Sequence, residues 1–281
     1  MSAHPLRLAE GPVDLGGIPT DATPGFDGGK AEGKAALAAI GPELADLQER
    51  LFAAGRATES ARSVLLVLQG MDTSGKGGVL RHTVGLVDPQ GVKITSFKAP
   101  TEEERKHDFL WRIRHAVPAP GYVGVFDRSH YEDVLIVRVH ALAEPAVVDA
   151  RYDQINAFEA ELAAQGVVLV KCMLHVSAQE QKERLLARLD SPDKYWKFNP
   201  GDIDERAYWR EYRTAYEIAL ERTNTEIAPW YVVPADRKWY RNLVIGQLLL
   251  DHLRAMNLQW PAADFDIEEQ RRRLVEEKPL S

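Results

Sequence analysis

Val64-Leu65-Leu66-Val67-Leu68-Gln69-Gly70-Met71-Asp72-Thr73-Ser74-Gly75-Lys76-Gly77-Gly78 is the stretch whose reading decides the fold. A continuous apolar run ends at Gly70, a short loop carries Gly75 and Lys76, and Val79 and Leu80 resume at helical spacing. The order is strand, phosphate loop, helix. Glycines let successive backbone N–H groups turn inward around phosphate oxygens, the helix N-terminus adds partial positive charge, and the lysine adds a full one. The expected phosphate ligands are therefore Gly70, Met71, Thr73, Ser74, Gly75, Lys76, Gly77 and Gly78. The loop departs from G-x-x-x-x-G-K-[ST] at Gly77, where a Ser or Thr hydroxyl would hold Mg²⁺. Asp72, inside the loop, is the candidate for that task, because a carboxylate facing phosphate needs a cation between them. A glycine-rich helix start with Asp72 as its cap is the plainer alternative.

Composition bounds the rest. The chain has 281 residues, 45% of them hydrophobic, enough for one sizeable α/β core with extensions. Cys172 is the only cysteine and lies in an apolar run, which predicts a packed thiol and, with no disulfide possible within the chain, a reducing cytoplasmic setting. No apolar run approaches the roughly 20 residues of a membrane span, and no membrane partner is expected. A net charge of -7 argues against general nucleic-acid binding, which relies on a broad positive field. A phosphate-rich substrate then requires locally gathered basic residues.

Outward from the loop, residues 1–31 are rich in Gly, Pro, Asp and Ala without a period and read as a flexible arm, disordered or lying over the body. One or two helices are expected over 34–55, with Pro42 in a first turn. After the loop the patterns predict a helix over 79–87, a strand over 92–97, a helix over 101–116 opened by a Thr101–Glu104 capping box, and a strand over 122–126. Asp127 ends that strand, where phosphate-loop enzymes hold their metal, and Arg128 beside it offers a guanidinium to phosphate oxygens; Asp127 as a mere turn cap is the alternative. Helices over 145–165 and 238–256, and strands over 167–174 and 230–234, complete an alternating βα pattern with five strands. Residues 258–281 form a charged tail.

A basic cluster follows the strand over 167–174. Ser177 and Glu180 make a capping box, and the segment beyond holds Lys182, Arg184, Arg188, Lys194 and Lys197. Arg184 and Arg188 are four apart on one helical face, a placement that suggests an anion between them, or else a solvated charged face. A mobile basic lid over about 182–209 fits phosphoryl transfer. Tyr195, Trp196 and Phe198 read first as packing and second as a platform for a base, and Tyr208, Trp209, Tyr212 and Tyr216 as a core-facing stripe.

These motifs together resemble the family-2 polyphosphate kinases. The loop Gly70 to Gly78, the run Asp127-Arg128-Ser129-His130-Tyr131-Glu132-Asp133 and the basic stretch Arg184 to Trp209 carry the likeness, with Phe97-Lys98-Ala99-Pro100-Thr101, His107 to Arg112 and Thr225 to Tyr231 in support. The resemblance covers about residues 34–257 and implies a phosphate-loop kinase fold of the thymidylate-kinase type in three layers: a five-stranded parallel sheet, helices on both faces and a helical lid. It implies a homo-oligomer, dimer or tetramer, and reversible transfer of the terminal phosphoryl group of inorganic polyphosphate to AMP, ADP or another nucleotide, with Mg²⁺ or Mn²⁺. By motif position Asp72 and Asp127 are the expected metal ligands, and Asp72, Lys76, Asp127, Arg128 and Arg188 the catalytic set. The resemblance also implies Arg81, Arg184, Lys194 and Lys197 as further phosphate ligands, and Lys98, Arg112, His130, Tyr131 and Glu132 as nucleotide ligands. Members confined to diphosphate acceptors read Ser-Trp-Tyr-Asn-Arg where this chain has Ser129-His130-Tyr131-Glu132-Asp133, which is similar to the AMP-accepting branches. An ATP-dependent nucleotide or small-metabolite kinase on the same fold is the rival. A nucleotide switch would carry an Asn-Lys-x-Asp-type motif, and none is found.

Overall fold

The computed structural model describes residues 4–58 and 61–277, so residues 1–3 of the expected arm and 278–281 of the expected tail lie outside the described residues. Its centre is β1 (Ser63–Gln69), buried at every position. Strands β2 (Val92–Ser96), β3 (Val123–Asp127), β4 (Val167–His175) and β5 (Trp230–Pro234) complete a five-stranded sheet ordered β2-β3-β1-β4-β5. Every pairing is parallel. The loop leaving β1 opens between β3 and β4, where the strand order reverses and helices cross to opposite faces. In such sheets the crevice beyond the strand ends is the ligand site.

The alternation within β1 builds two cores. Leu65 and Val67 join Phe126, Tyr152 and Phe158 on one face; Val64, Leu66 and Leu68 join Val79, Tyr240 and Ile245 on the other. The second face is covered by α1 (Lys30–Ala57), the short α2 (Lys76–His82) that begins at the phosphate loop, and a long C-terminal helix. Across the sheet, α3 (Trp111–Ala116), the single turn α4 (Ile136–Val139) and α5 (Pro145–Ala164) cover the first face. The basic segment runs through α6 (Ala178–Leu189), a 3-10 turn at Pro192–Lys197 and α7 (Gly201–Glu205) into α8 (Trp209–Thr223). The long C-terminal helix is α9 (Lys238–Ala255), and α10 (Ile267–Glu276) is an exposed tail. No described helix is long and apolar enough to cross a membrane.

The structure refines the sequence reading in three places. Residues 34–55 lie in a single helix with Pro42 in its interior, because the buried Leu44, Gln48 and Leu51 hold α1 on α9 past the missing N–H. The helix expected over 101–116 is interrupted. The Thr101–Glu104 box forms, with Glu104 N donating to Thr101 Oγ1 (3.2 Å), but it opens only a 3-10 turn, and Asp108 restarts the chain by accepting from the Leu110 amide (3.0 Å). The N-terminal segment lies over the body: Leu6 and Leu15 are buried in opposite cores, and Leu8 N donates to Trp230 O (2.8 Å) while Val232 N donates to Leu6 O (3.0 Å), an antiparallel bridge on the β5 edge.

Candidate active site

The phosphate loop takes a shape that few residues adopt. Gly70 and Gly75 have φ of +153° and +110°, and Thr73 is left-handed at +60°. Arg128, following β3, is also left-handed at φ +63°. For a residue with a side chain this costs ~1 kcal/mol or more, a strain that clusters at functional sites. β1 and β3 are neighbours with Leu68 opposite Asp127, so the loop and the Asp127-Arg128 dipeptide emerge side by side. Arg128 Nη2 donates to Asp72 Oδ1 at 2.9 Å.

Lys76 Nζ donates to the Gly70 carbonyl (2.9 Å), curling over the loop where a phosphate oxygen would compete for it. Burial pulls its pKa below the ordinary value, against the carboxylates of Asp127, Asp72 and Glu132, which act to hold the proton. Burial raises the Glu132 carboxyl above its ordinary value, although Arg128 and Lys76 pull the other way. For Arg128 burial lowers the pKa, and Glu132 with Asp72 more than reverses that. The centre thus sets Lys76 and Arg128 against Asp72, Asp127 and Glu132, and Asp72, Arg128 and Glu132 line a cleft of about 250 Å³. Its opposite wall is Asp202 of α7 and Trp209, Tyr212 and Tyr216 of α8. The stripe expected to face the core therefore divides: Tyr216 is buried at the cleft floor, whereas Tyr208 is exposed.

The donor set fits a magnesium ion. Among the described residues no group of three or more His, Cys, Asp or Glu side chains gathers to hold a metal. Mg²⁺ seldom uses such a cage; it takes one or two carboxylates and completes its shell with water and substrate phosphates. Asp72 and Asp127 are the carboxylates at the right place, and the buried hydroxyls of Thr73 and Ser74, which have no hydrogen-bond partner, add oxygen donors in the loop. A Cβ on the exposed Gly77 would meet nothing within 4 Å, so packing does not exclude a hydroxyl residue there.

Several expected ligands are placed otherwise. Arg184 is 7% exposed and fully used by the protein: Nη1 donates to the carbonyls of Thr73 (2.8 Å) and Ser74 (3.0 Å), Nη2 to those of Ala235 and Asp236, and Nε to Glu180. It braces the loop from outside instead of meeting phosphate. Arg188 bonds the Lys197 carbonyl (2.8 Å) and Asp202 (3.3 Å), so the arginine pair does not converge on a shared anion. His130 and Tyr131 are fully buried and both reach Glu159 (3.2 and 2.7 Å), whose other oxygen accepts from Lys171 (2.7 Å). Their side chains are core, and the expectation that they touch a nucleotide is corrected. Lys98 and Arg112 line a separate groove at the β2 edge, tied to each other where Arg112 donates to the Lys98 carbonyl (2.8 Å). Arg81 is exposed on α2, and Lys194 and Lys197 are exposed on the 3-10 turn. Tyr195 and Trp196 there are exposed too, Trp196 by 77%, which corrects their reading as packing. Cys172 is buried, and burial pushes its thiol well up, as a packed thiol requires.

Sequence reasoning missed residues that the fold brings in from afar. Gln181 donates to the Asp72 carbonyl (2.9 Å). Gln69, in the amide orientation that satisfies both its ends, donates to Glu132 (3.1 Å) and accepts from the Ser129 backbone amide (3.0 Å). A polar residue closing a wholly buried strand was the available signal for Gln69.

The chain is similar in sequence and fold to proteins of one family. The family model described as polyphosphate kinase 2 matches residues 28–261. An AMP/ADP-polyphosphate phosphotransferase of Meiothermus ruber is 44% identical over 90% of this chain and 92% of that protein. An ADP-polyphosphate phosphotransferase of Rhodopseudomonas palustris is 41% identical over 91% of each. Among solved structures, polyphosphate kinase 2 from Arthrobacter aurescens superposes with a TM-score of 0.93 at 56% identity, covering 97% of this chain and 95% of that one. The chain belongs to the polyphosphate kinase 2 family.

Proposed function

We propose that this protein is an enzyme that transfers the terminal phosphoryl group of inorganic polyphosphate to AMP or ADP, reversibly and with Mg²⁺. The observation that carries the reading is the convergence of Lys76, Asp72, Asp127 and Arg128 at one phosphate loop, on a chain similar over nine-tenths of its length to an AMP/ADP-polyphosphate phosphotransferase. A loose phosphoryl-transfer transition state demands alignment and charge neutralisation more than covalent chemistry. The loop amides and Lys76 hold the donor phosphates. Asp72 and Asp127 are the residues that would hold Mg²⁺, whose charge offsets that of the phosphates. Arg128, fixed by Asp72, faces the transferring group, and Glu132 sits where an acceptor phosphate or hydroxyl would arrive. Asp202 and the α8 aromatics close the cleft from the other side and reduce water access. Arg188 belongs to the segment expected to act as a lid, and release from Asp202 would free its guanidinium for the phosphates.

The likeness of Ser129 to Asp133 to AMP-accepting branches favours AMP as an acceptor, and a homo-oligomer follows from the family resemblance. The test is product formation from AMP and from ADP with long-chain polyphosphate as sole donor. Formation of ADP from AMP supports the reading. Turnover with ADP alone overturns the acceptor assignment.

A further inference from the structure

Arg241, in the first turn of α9, is 2% exposed and lies against the back of the phosphate loop. Its Nη1 donates to the Ser74 carbonyl (3.0 Å), which also accepts from Arg184. Its Nε and Nη2 both donate to Oδ1 of the neighbouring Asn242 (3.2 and 2.9 Å). A Cβ on Gly75 would overlap the Arg241 guanidinium, and one on Gly78 would collide with its Nη2. Two glycines of the motif therefore make room for an arginine behind the loop as well as for phosphate in front of it.

The charge balance behind the loop is one-sided. Arg184 has Glu180 as its carboxylate, but every hydrogen-bond acceptor of Arg241 is a neutral oxygen, and among the described residues no carboxylate lies within ion-pair distance of it. Burial, reinforced by the charge of Arg184, pulls the Arg241 pKa down to about 9, and Glu180 opposes this only in part. Lys238, three residues earlier on α9, is pulled down by burial and by Arg184 and Arg241, with Glu180 again in opposition. A fold that buries a guanidinium beside a second one without a counter-charge sustains a desolvation cost unless something compensates it.

We propose that Arg241 is a positioning residue for the phosphate chain: it holds the Ser74 carbonyl to the rear of the loop and places there a positive charge that the bound anion, across the loop, balances. The proposal rests on reading the loop as a phosphate-chain site. It assigns binding of the donor, and not of the nucleotide acceptor, to a residue that touches neither.

Asn242→Asp gives a direct test, because it puts a carboxylate on the atom that already accepts two Arg241 bonds and changes almost no volume. The expected result is a dissociation constant for inorganic tripolyphosphate, measured by calorimetry on the full chain, raised about tenfold by the added counter-charge. KM for polyphosphate rises in parallel, KM for the nucleotide stays within about twofold, and the melting temperature without ligand is unchanged or higher. If Arg241 serves packing alone, the stronger contact that the new carboxylate makes with it leaves tripolyphosphate affinity unchanged or improved, and that outcome overturns the proposal. Arg241→Lys and Arg241→Met form an independent pair: the lysine keeps affinity within about threefold, the methionine loses about tenfold or more. Equal affinity of the two variants overturns the proposal as well. A wild type that binds tripolyphosphate without transferring its phosphoryl group sinks the functional reading, while the calorimetric comparison still decides the role of Arg241.

Discussion

Arg128 Nη2 donates to Asp72 Oδ1 across 2.9 Å, and this ion pair ties the phosphate loop of β1 to the residue that follows β3. The two strands are hydrogen-bonded neighbours, so the pair spans a gap that the sheet has already closed. On the proposed reading Asp72 would both align Arg128 and offer a carboxylate to Mg²⁺, and Asp127 would offer a second carboxylate. Asp72→Asn and Asp127→Asn are each expected to lower turnover at least about tenfold at saturating Mg²⁺, or ~1.4 kcal/mol. The melting temperature should barely change, and a Mg²⁺ titration of initial rates checks the result.

Arg184 and Arg188 should separate when each is replaced by alanine. Arg184→Ala leaves the buried carbonyls of Thr73 and Ala235 without their guanidinium donor and is expected to cost about 3 kcal/mol of stability, with loss of the loop conformation. Arg188→Ala removes partly exposed contacts and should cost little stability but lower turnover more than nucleotide binding. Denaturant melts and steady-state kinetics on the two variants distinguish them.

Those two arginines show where the sequence stops being informative. Spacing of four placed them on one face and suggested a shared anion; the Thr73 and Ser74 carbonyls that Arg184 uses instead lie more than a hundred positions away and carry no sequence signature. His130 and Tyr131 misled for a similar reason, since nothing near them announces that Glu159 and Lys171 will form a buried ion pair beneath them. The fold was legible because it is local: an apolar strand running into a glycine-lysine loop, alternating elements, and caps such as Ser177, whose Oγ accepts from Glu180 N (3.0 Å). Asp72, Lys76, Asp127 and Arg128 were readable because each sits at a strand end that a parallel sheet brings together.

The Glu159–Lys171 pair gives a pH prediction. Burial pushes the Glu159 carboxyl up, but Lys171 and the His130 hydrogen bond together bring it below the ordinary 4.5. A depressed carboxyl contributes stability above its unfolded pKa and loses it as pH falls through the folded one, so acid unfolding of wild type should steepen below about 4.5. Lys171→Met breaks the pair at 0% exposure and should cost ~3 to 5 kcal/mol near neutrality. Lys171→Met combined with Glu159→Leu should cost less than the sum of the single changes. Urea midpoints against pH for the single and double variants provide the check.

Lys76→Met is expected to slow both directions by similar factors, because a group that stabilises the transition state serves one barrier from either side. Loss of one preorganised donor predicts ~3 to 4 kcal/mol. Initial rates of nucleotide phosphorylation and of polyphosphate synthesis, compared with wild type, measure it. A loss confined to one direction at comparable saturation would assign Lys76 to ground-state binding of one substrate.

That the donor seated in the Gly70 to Gly78 loop is inorganic polyphosphate is tested most directly by comparing two donors on the same wild-type preparation, with AMP as acceptor and Mg²⁺ present. One arm holds long-chain polyphosphate without ATP, the other ATP without polyphosphate. Rapid ADP formation with polyphosphate is the expected result. Turnover with ATP and none with polyphosphate would contradict it and assign the cleft to an ATP-dependent kinase.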